Sequence, residues 1–208
     1  MIVLIDNGHG SDTRGKCSPD GKFREYAYAR QIAAMVVDTL KAQGVDARLL
    51  VPESADIPLT VRVARANALC DRYGAANVCL VSIHVNAAGS DGKWHQATGW
   101  EAWTSPGLTR GDTLAECLYD AAESILPPEF PSVPKSRLIR VDMADGDRDK
   151  EEKFTILTKS RCPACLTENF FQDTLSDVQW LSSEHGKQTI KKIHVLGILA
   201  YINANAKK

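Results

Sequence analysis

The chain has 208 residues, 44% of them hydrophobic and 25% charged, and a formal net charge of -1. That length suits one domain with a sizeable core, the apolar fraction excludes disorder, and the near-neutral charge balance excludes a dedicated binder of nucleic-acid phosphates. No stretch approaches the roughly 18 apolar residues of a membrane-spanning helix. The opening run MIVLI is short, lacks a basic start and ends at Asp6. No secretory signal is read there, so a cytoplasmic location as synthesised is the expectation. Six scattered cysteines, Cys17, Cys70, Cys79, Cys117, Cys162 and Cys165, fit buried thiols in a reducing compartment better than a disulfide framework.

MIVLI predicts a strand buried on both faces, because aliphatic residues follow one another without alternation. Asp6-Asn7-Gly8-His9-Gly10 reads as a tight loop, with Gly8 and Gly10 freeing the backbone angles beside a lone histidine. A turn whose histidine faces solvent is the plain alternative. Residues 25–44 place Ala29, Ala33, Val36, Val37 and Leu40 on one stripe before Gly44, which predicts a helix. Residues 45–51 predict a strand, 59–74 a helix, and 77–87 a third strand that stays apolar until His84. Residues 99–105 predict a strand, and 112–126 a helix with Leu114, Cys117, Leu118, Ala121 and Ile125 on one face.

Residues 127–153 hold four prolines and the charge run DGDRDKEEK. They predict a long irregular insertion around a short strand near RLIRV, mostly solvated, and a gate over a cleft is one hypothesis for it. PACLTENFF (163–171) predicts a strand ending at Glu168, and helices over 177–184 and 187–203 close the chain. Strands alternating with helices predict an α/β fold: a single domain with a mixed, mostly parallel sheet and helices on both faces. The strand ends carrying His9, His84 and Glu168 can then share one sheet edge, where open α/β sheets bind ligands. Glu25, opening the first helix, can reach the same edge.

Two imidazoles and a carboxylate match the ligand set of a catalytic zinc site, which keeps a fourth position for water. A further carboxylate can take the proton of that water and pass it to a leaving amine. The separations of 16 (9 to 25) and 59 (25 to 84) residues make no compact motif, so spacing alone leaves the metal reading open. Cys162-Pro163-Ala164-Cys165 offers a redox or half-ribbon CxxC, but with no second CxxC, packing thiols are the plainer reading. His95 reads as a surface-loop residue before a spare ligand, His185 as a helix boundary and His194 as a helix-face residue. Asn86 and Glu101 are candidate substrate-binding residues. Glu101 could also orient a ligand histidine or simply face solvent, and Trp100 and Trp103 divide between groove lining and core packing.

DNGHG with Gly15, Glu25 opening EYAYARQIAAMVVDTLKAQG, then SIHVNA, then TENFF followed by SDVQWL together resemble the zinc-dependent N-acetylmuramoyl-L-alanine amidases of the Amidase_3 type. The matching blocks keep the family's order over about residues 2 to 203. Arg62 through Asn67, Gly99, and Leu196-Gly197-Ile198 with Tyr201 agree. The resemblance implies a phosphorylase/hydrolase-like catalytic domain over 1–208, one Zn²⁺ bound by His9, Glu25 and His84, and Glu168 as catalytic base. It implies hydrolysis of the amide joining N-acetylmuramic acid to L-alanine of the peptidoglycan stem peptide. Peptidoglycan or muropeptides would be the partners of an expected monomer.

The alternatives are a non-catalytic peptidoglycan-binding or regulatory protein and a zinc amidohydrolase with a substrate outside the cell wall. All four site positions are filled, which favours the enzyme. The apparent lack of a leader favours an endolysin-like lytic role, acting at the wall after release, over host wall remodelling. Asn7 and Ser11 depart from the proline and second glycine usual in the family's loop. Asn169-Phe170 replaces the Thr-Gly that often follows the glutamate, which bears on the shape of the cleft.

Overall fold

The computed structural model describes residues 1–206. Six strands, β1 (Ile2–Asn7), β2 (Asp46–Leu49), β3 (Val78–Asn86), β4 (Trp100–Thr104), β5 (Lys150–Glu151) and β6 (Ala164–Phe171), form one sheet in the order β2-β1-β3-β6-β4-β5. β2, β1, β3 and β6 run parallel, β4 is antiparallel to β6, and β5 is parallel to β4. The helices are α1 (Glu25–Ala42), α2 (Leu59–Tyr73), α3 (Arg110–Glu129), α4 (Lys135–Leu138), α5 (Thr155–Thr158), α6 (Leu175–Ser182) and α7 (Glu184–Ala206).

Two cores flank the sheet, and they explain why β1 and β3 are apolar without alternation. Val3, Ile5, Cys79, Val81 and Ile83 face the larger core with α1, α3 and α7. Ile2, Leu4, Val78 and Leu80 face the smaller one, closed by Ala66 and Cys70 of α2 and by Ile156 and Leu157 of α5. Each fully buried aliphatic side chain is worth about 1.5 to 3 kcal/mol over its exposed state, so both faces of these strands contribute. α3 and α7 meet at Gly197, where a Cβ would lie 2.8 Å from Leu118 Cα; only glycine allows that approach. Thr109 and Asp112 cap α3 reciprocally, satisfying amide donors that the first turn leaves unpaired.

The segment from 127 to 153 is less irregular than its composition suggests. α3 continues through Pro127 and Pro128 to Glu129. Proline's fixed φ suits a helix, and in the last turn the Phe130 amide still closes on the Leu126 carbonyl at 3.1 Å. The expected strand near RLIRV is instead the end of α4, followed by a lone bridge from Ile139 to Trp100. The segment's strand is β5, at Lys150–Glu151. β6 also runs three residues past Glu168, through a register shift opposite Asn86 and a left-handed Phe170 (φ 63°).

All six cysteines are free, four of them buried and Cys17 and Cys117 partly so. His194 lies on the buried face of α7, its ring between Thr167 Oγ1 (2.9 Å) and the Ile190 carbonyl (2.8 Å). His185, in the first turn of α7, sits 3.0 Å from Glu129. No helix among the described residues is long and apolar enough to cross a membrane.

Candidate metal centre and active site

β1 delivers Asp6 and Asn7 to the sheet edge, and the next three residues turn over β3. The two glycines serve space rather than backbone angle, contrary to the sequence expectation. A Cβ on Gly8 would lie 2.5 Å from His84 Nδ1, and one on Gly10 2.0 Å from the Asp56 backbone nitrogen. The left-handed residue is His9 itself, at φ 60°. That conformation costs a non-glycine residue roughly 1 to 2 kcal/mol, and two arginines hold it: Arg30 Nη1 and Arg62 Nη2 donate to the His9 carbonyl at 2.8 and 3.3 Å. Arg62 also pairs with Asp6 (2.8 Å) and donates to the Asn7 carbonyl (2.6 Å), and Ser82 Oγ donates to the other Asp6 oxygen (2.6 Å).

Glu25, the first residue of α1, is 1% exposed. Its Oε1 accepts from the Val85 amide at 3.0 Å and lies 3.1 Å from His84 Nδ1. Its Oε2 is buried without a hydrogen-bond partner, 3.5 Å from His9 Nε2. One ligand atom from each of His9, Glu25 and His84 falls within 4.8 Å of the others. Ligands at the usual 2.0–2.1 Å from a tetrahedral zinc stand roughly 3.3 Å apart, close to the two contacts Glu25 makes. A buried carboxylate set between two imidazoles with one oxygen left unpartnered is costly and is what a bound cation would satisfy, so these residues fit the metal.

The surroundings polarise the same groups. Burial lowers the His9 pKa to about 4, with Glu25 opposing it, so His9 offers a free lone pair at neutral pH. Burial opposes charge on Glu25, yet the hydrogen bond and charge of His84 hold its carboxyl below the usual range. Glu168 is the register neighbour of His84 across the β3–β6 pairing. Its Oε2 is also sealed from solvent without a partner. Burial pushes its carboxyl up to about 8; His84 pulls it down, and Glu25 and Glu101 push it up. A cavity of about 320 Å³ opens beside His9 and His84, walled by Pro58, Leu59 and Ile156.

The profile of the N-acetylmuramoyl-L-alanine amidase family, Amidase_3, matches residues 3–200. The chain belongs to this family. It is 29% identical over 199 residues to the sporulation-specific N-acetylmuramoyl-L-alanine amidase of Bacillus subtilis strain 168, covering 94% of this chain and 66% of that protein. It is 28% identical over 203 residues to the amidase CwlM of Bacillus licheniformis, covering 97% and 68%. The chain thus spans about two thirds of the length of these relatives. Among solved structures, an N-acetylmuramoyl-L-alanine amidase from Clostridium difficile 630 superposes with a TM-score of 0.75 at 28% identity, covering 98% of this chain and 97% of that one. The CwlV catalytic domain from Bacillus (Paenibacillus) polymyxa shares the fold, with a TM-score of 0.75 at 21% identity and coverage of 97% and 98%.

In this member of the amidase family, Glu101 does not face solvent, the reading that an alternating strand favours. It is 1% exposed, opposite Glu168 in the β4–β6 register. Arg140 and Lys150 pair with it at 2.6 and 2.8 Å, and Asn86 and Trp103 donate to its other oxygen at 2.8 and 3.2 Å. Asn86 therefore reaches the site through Glu101. Trp100 is a core residue, donating to Asn169 Oδ1 at 3.0 Å, and Trp103 packs against Phe154 with the rings tilted by 57°. His95 pairs locally with Asp91 at 2.9 Å and stands outside the His9, Glu25 and His84 cluster. Burial raises the thiol pKa of Cys162 and Cys165, the opposite of what a reactive thiolate needs. Sequence reasoning passed over Arg30, Arg140 and Lys150. For Arg62 a signal exists: with Ala66 and Cys70 it forms an i, i+4, i+8 stripe, and these three are the buried residues of α2.

Proposed function

We propose that this chain is a zinc-dependent N-acetylmuramoyl-L-alanine amidase, hydrolysing the amide between N-acetylmuramic acid and the L-alanine of the stem peptide. The observation that carries the reading is the buried, unpartnered Glu25 Oε2 facing His9 Nε2, with Glu168 alongside in a chain of this family. His9, Glu25 and His84 would hold the ion; the Val85 amide and the Arg62 network fix where their atoms point. When bound, Zn²⁺ supplies a Lewis acid that acidifies water and polarises the amide carbonyl. In its ionised form, which a cation held by His9, Glu25 and His84 would favour, Glu168 takes the proton of the attacking water; burial favours the protonated carboxyl, so the proton is kept until the leaving nitrogen needs it. The carbonyl carbon gains a C–O bond, the C–N bond breaks, and Glu168 delivers the proton to the alanine amine. The products are the muramic acid carboxylate and a free stem peptide.

The test is mass spectrometry of soluble products from purified peptidoglycan, incubated with the zinc-loaded protein and with Glu168→Gln. Stem peptides beginning at L-alanine should be released by the first and not by the second. Release by both would remove Glu168 from the reaction, and release by neither, with zinc bound, would overturn the cell-wall assignment.

A further inference from the structure

Both cations of the Glu101 cluster, Arg140 and Lys150, pair with the same Glu101 oxygen, so neither needs its full donor set to satisfy that carboxylate. Arg140 engages Glu101 through Nε alone. Among the described residues neither of its terminal Nη groups donates to a protein atom, and its side chain is 35% exposed. Its guanidinium carbon lies 5.1 Å from the Phe171 ring centroid, at the end of β6 where Phe171 pairs with Asn86. The free edge of a guanidinium so held presents two parallel donors, the geometry that receives a carboxylate through both oxygens. Lys150, 5.1 Å from the Trp103 ring centroid and 20% exposed, adds charge from the other side.

The placement of the cluster says what it would meet. His84, Glu168 and Glu101 are successive register neighbours on β3, β6 and β4. Strands lie about 4.8 Å apart, so Glu101 stands roughly 10 Å across the sheet from His84, with Glu168 between them. An extended peptide advances about 3.3 Å per residue. A chain whose amide is held between His84 and Glu168 therefore brings its second residue to Arg140 when it runs toward β4.

We propose that Arg140, with Lys150, forms a carboxylate-binding subsite for the peptide on the leaving side of the amide, selecting a peptide acidic about two residues from the cleaved bond. This rests on the amidase reading above. Arg140→Gln is the informative variant, because Lys150, Asn86 and Trp103 still satisfy Glu101 and the fold keeps its buried charge paired; a thermal melt checks this.

The experiment compares kcat/KM of the zinc-loaded protein on MurNAc-L-Ala-D-Glu and on the same compound with both glutamate carboxyls amidated. The acid should be preferred tenfold or more, the preference should shrink at high salt, Arg140→Gln should bring the ratio close to one, and Arg140→Lys should restore part of it. Equal use of both compounds by the wild type, or a preference that survives in Arg140→Gln, overturns the subsite. If the wild type cleaves neither compound, the amidase reading is what fails. Calorimetric binding of the dipeptide L-Ala-D-Glu then decides the subsite: tenfold tighter binding to wild type than to Arg140→Gln upholds it, and equal binding overturns it.

Discussion

Asp6 and Arg62 meet in a buried ion pair, Nη1 to Oδ1 at 2.8 Å, with 2% of either side chain exposed. The same guanidinium takes the carbonyls of Asn7 and His9, so one side chain neutralises a buried acid and fixes the loop that aims a proposed metal ligand. Arg62→Met leaves Asp6 with Ser82 as its remaining side-chain partner. Removing one member of a buried pair costs about 3 to 5 kcal/mol, and the loss should appear as a lowered urea midpoint. Zinc affinity should fall in parallel, measured by equilibrium dialysis; unchanged affinity in a destabilised variant would separate the loop from the ion pair.

Metal removal gives a second expectation. A ligand that binds only the folded state at 100 times its Kd stabilises it by about 2.7 kcal/mol, roughly 5 to 10 °C in Tm for a domain of this size. Zinc should raise the wild-type Tm by that order, and chelation should reverse it. Glu25→Gln removes the charge while keeping the shape, and should abolish the shift and the bound zinc. A full shift in Glu25→Gln would take Glu25 out of the ligand set.

The parts of this molecule that sequence reasoning reaches are those fixed by near neighbours or by two-sided burial. The strands bearing Asp6 and His84 are legible because both faces are covered, and α1 because its stripe is regular. The proposed ligand set is not legible from spacing, since His9 and His84 come together through the β1–β3 pairing and Glu25 through the return of the chain into α1; the resemblance to the family implies it. Glu101 looked like a solvent-facing alternate because its cations lie 39 and 49 residues further on, in a segment with no periodicity. The Gly8 and Gly10 reading erred for a similar reason: a close approach to His84 or Asp56 leaves no local mark, whereas glycine's backbone freedom is the usual inference.

Asp149 sets up a pH dependence of stability. It is 2% exposed; burial pushes its carboxyl up from the ordinary 3.8 to about 7, Thr104 pulls it down and Asp147 pushes it up. Its Oδ1 and Asp147 Oδ1 are both buried without partners. A carboxyl whose pKa is raised on folding binds more protons folded than unfolded between the two values, so stability falls as pH rises from about 4 to about 7. Asp149→Asn removes that charge and brings an amide donor within reach of Asp147. It should stabilise the protein at pH 8 by on the order of 1 to 3 kcal/mol and much less at pH 4.5, read from urea midpoints at the two pH values. An equal gain at both would assign the effect to packing.

Phe170 occupies a left-handed position, φ 63°, two residues beyond Glu168, where the family often has glycine. Its ring is buried against Phe130 and Trp180, at centroid distances of 5.4 and 4.9 Å. Packing thus holds a conformation that costs a non-glycine residue roughly 1 to 2 kcal/mol. Phe170→Ala loses the ring, about 3 to 5 kcal/mol for a buried phenylalanine, and keeps the strain. Phe170→Gly loses the ring as well but releases the strain. The glycine variant should therefore be the more stable of the two by about 1 kcal/mol, the reverse of the usual order within a strand, where glycine costs about 0.5 to 1 kcal/mol relative to alanine. Urea unfolding of the pair measures the difference directly. The usual order would show that the bulge relaxes out of the left-handed region once the ring is gone, leaving the aromatic cluster as what sets the backbone at the end of β6.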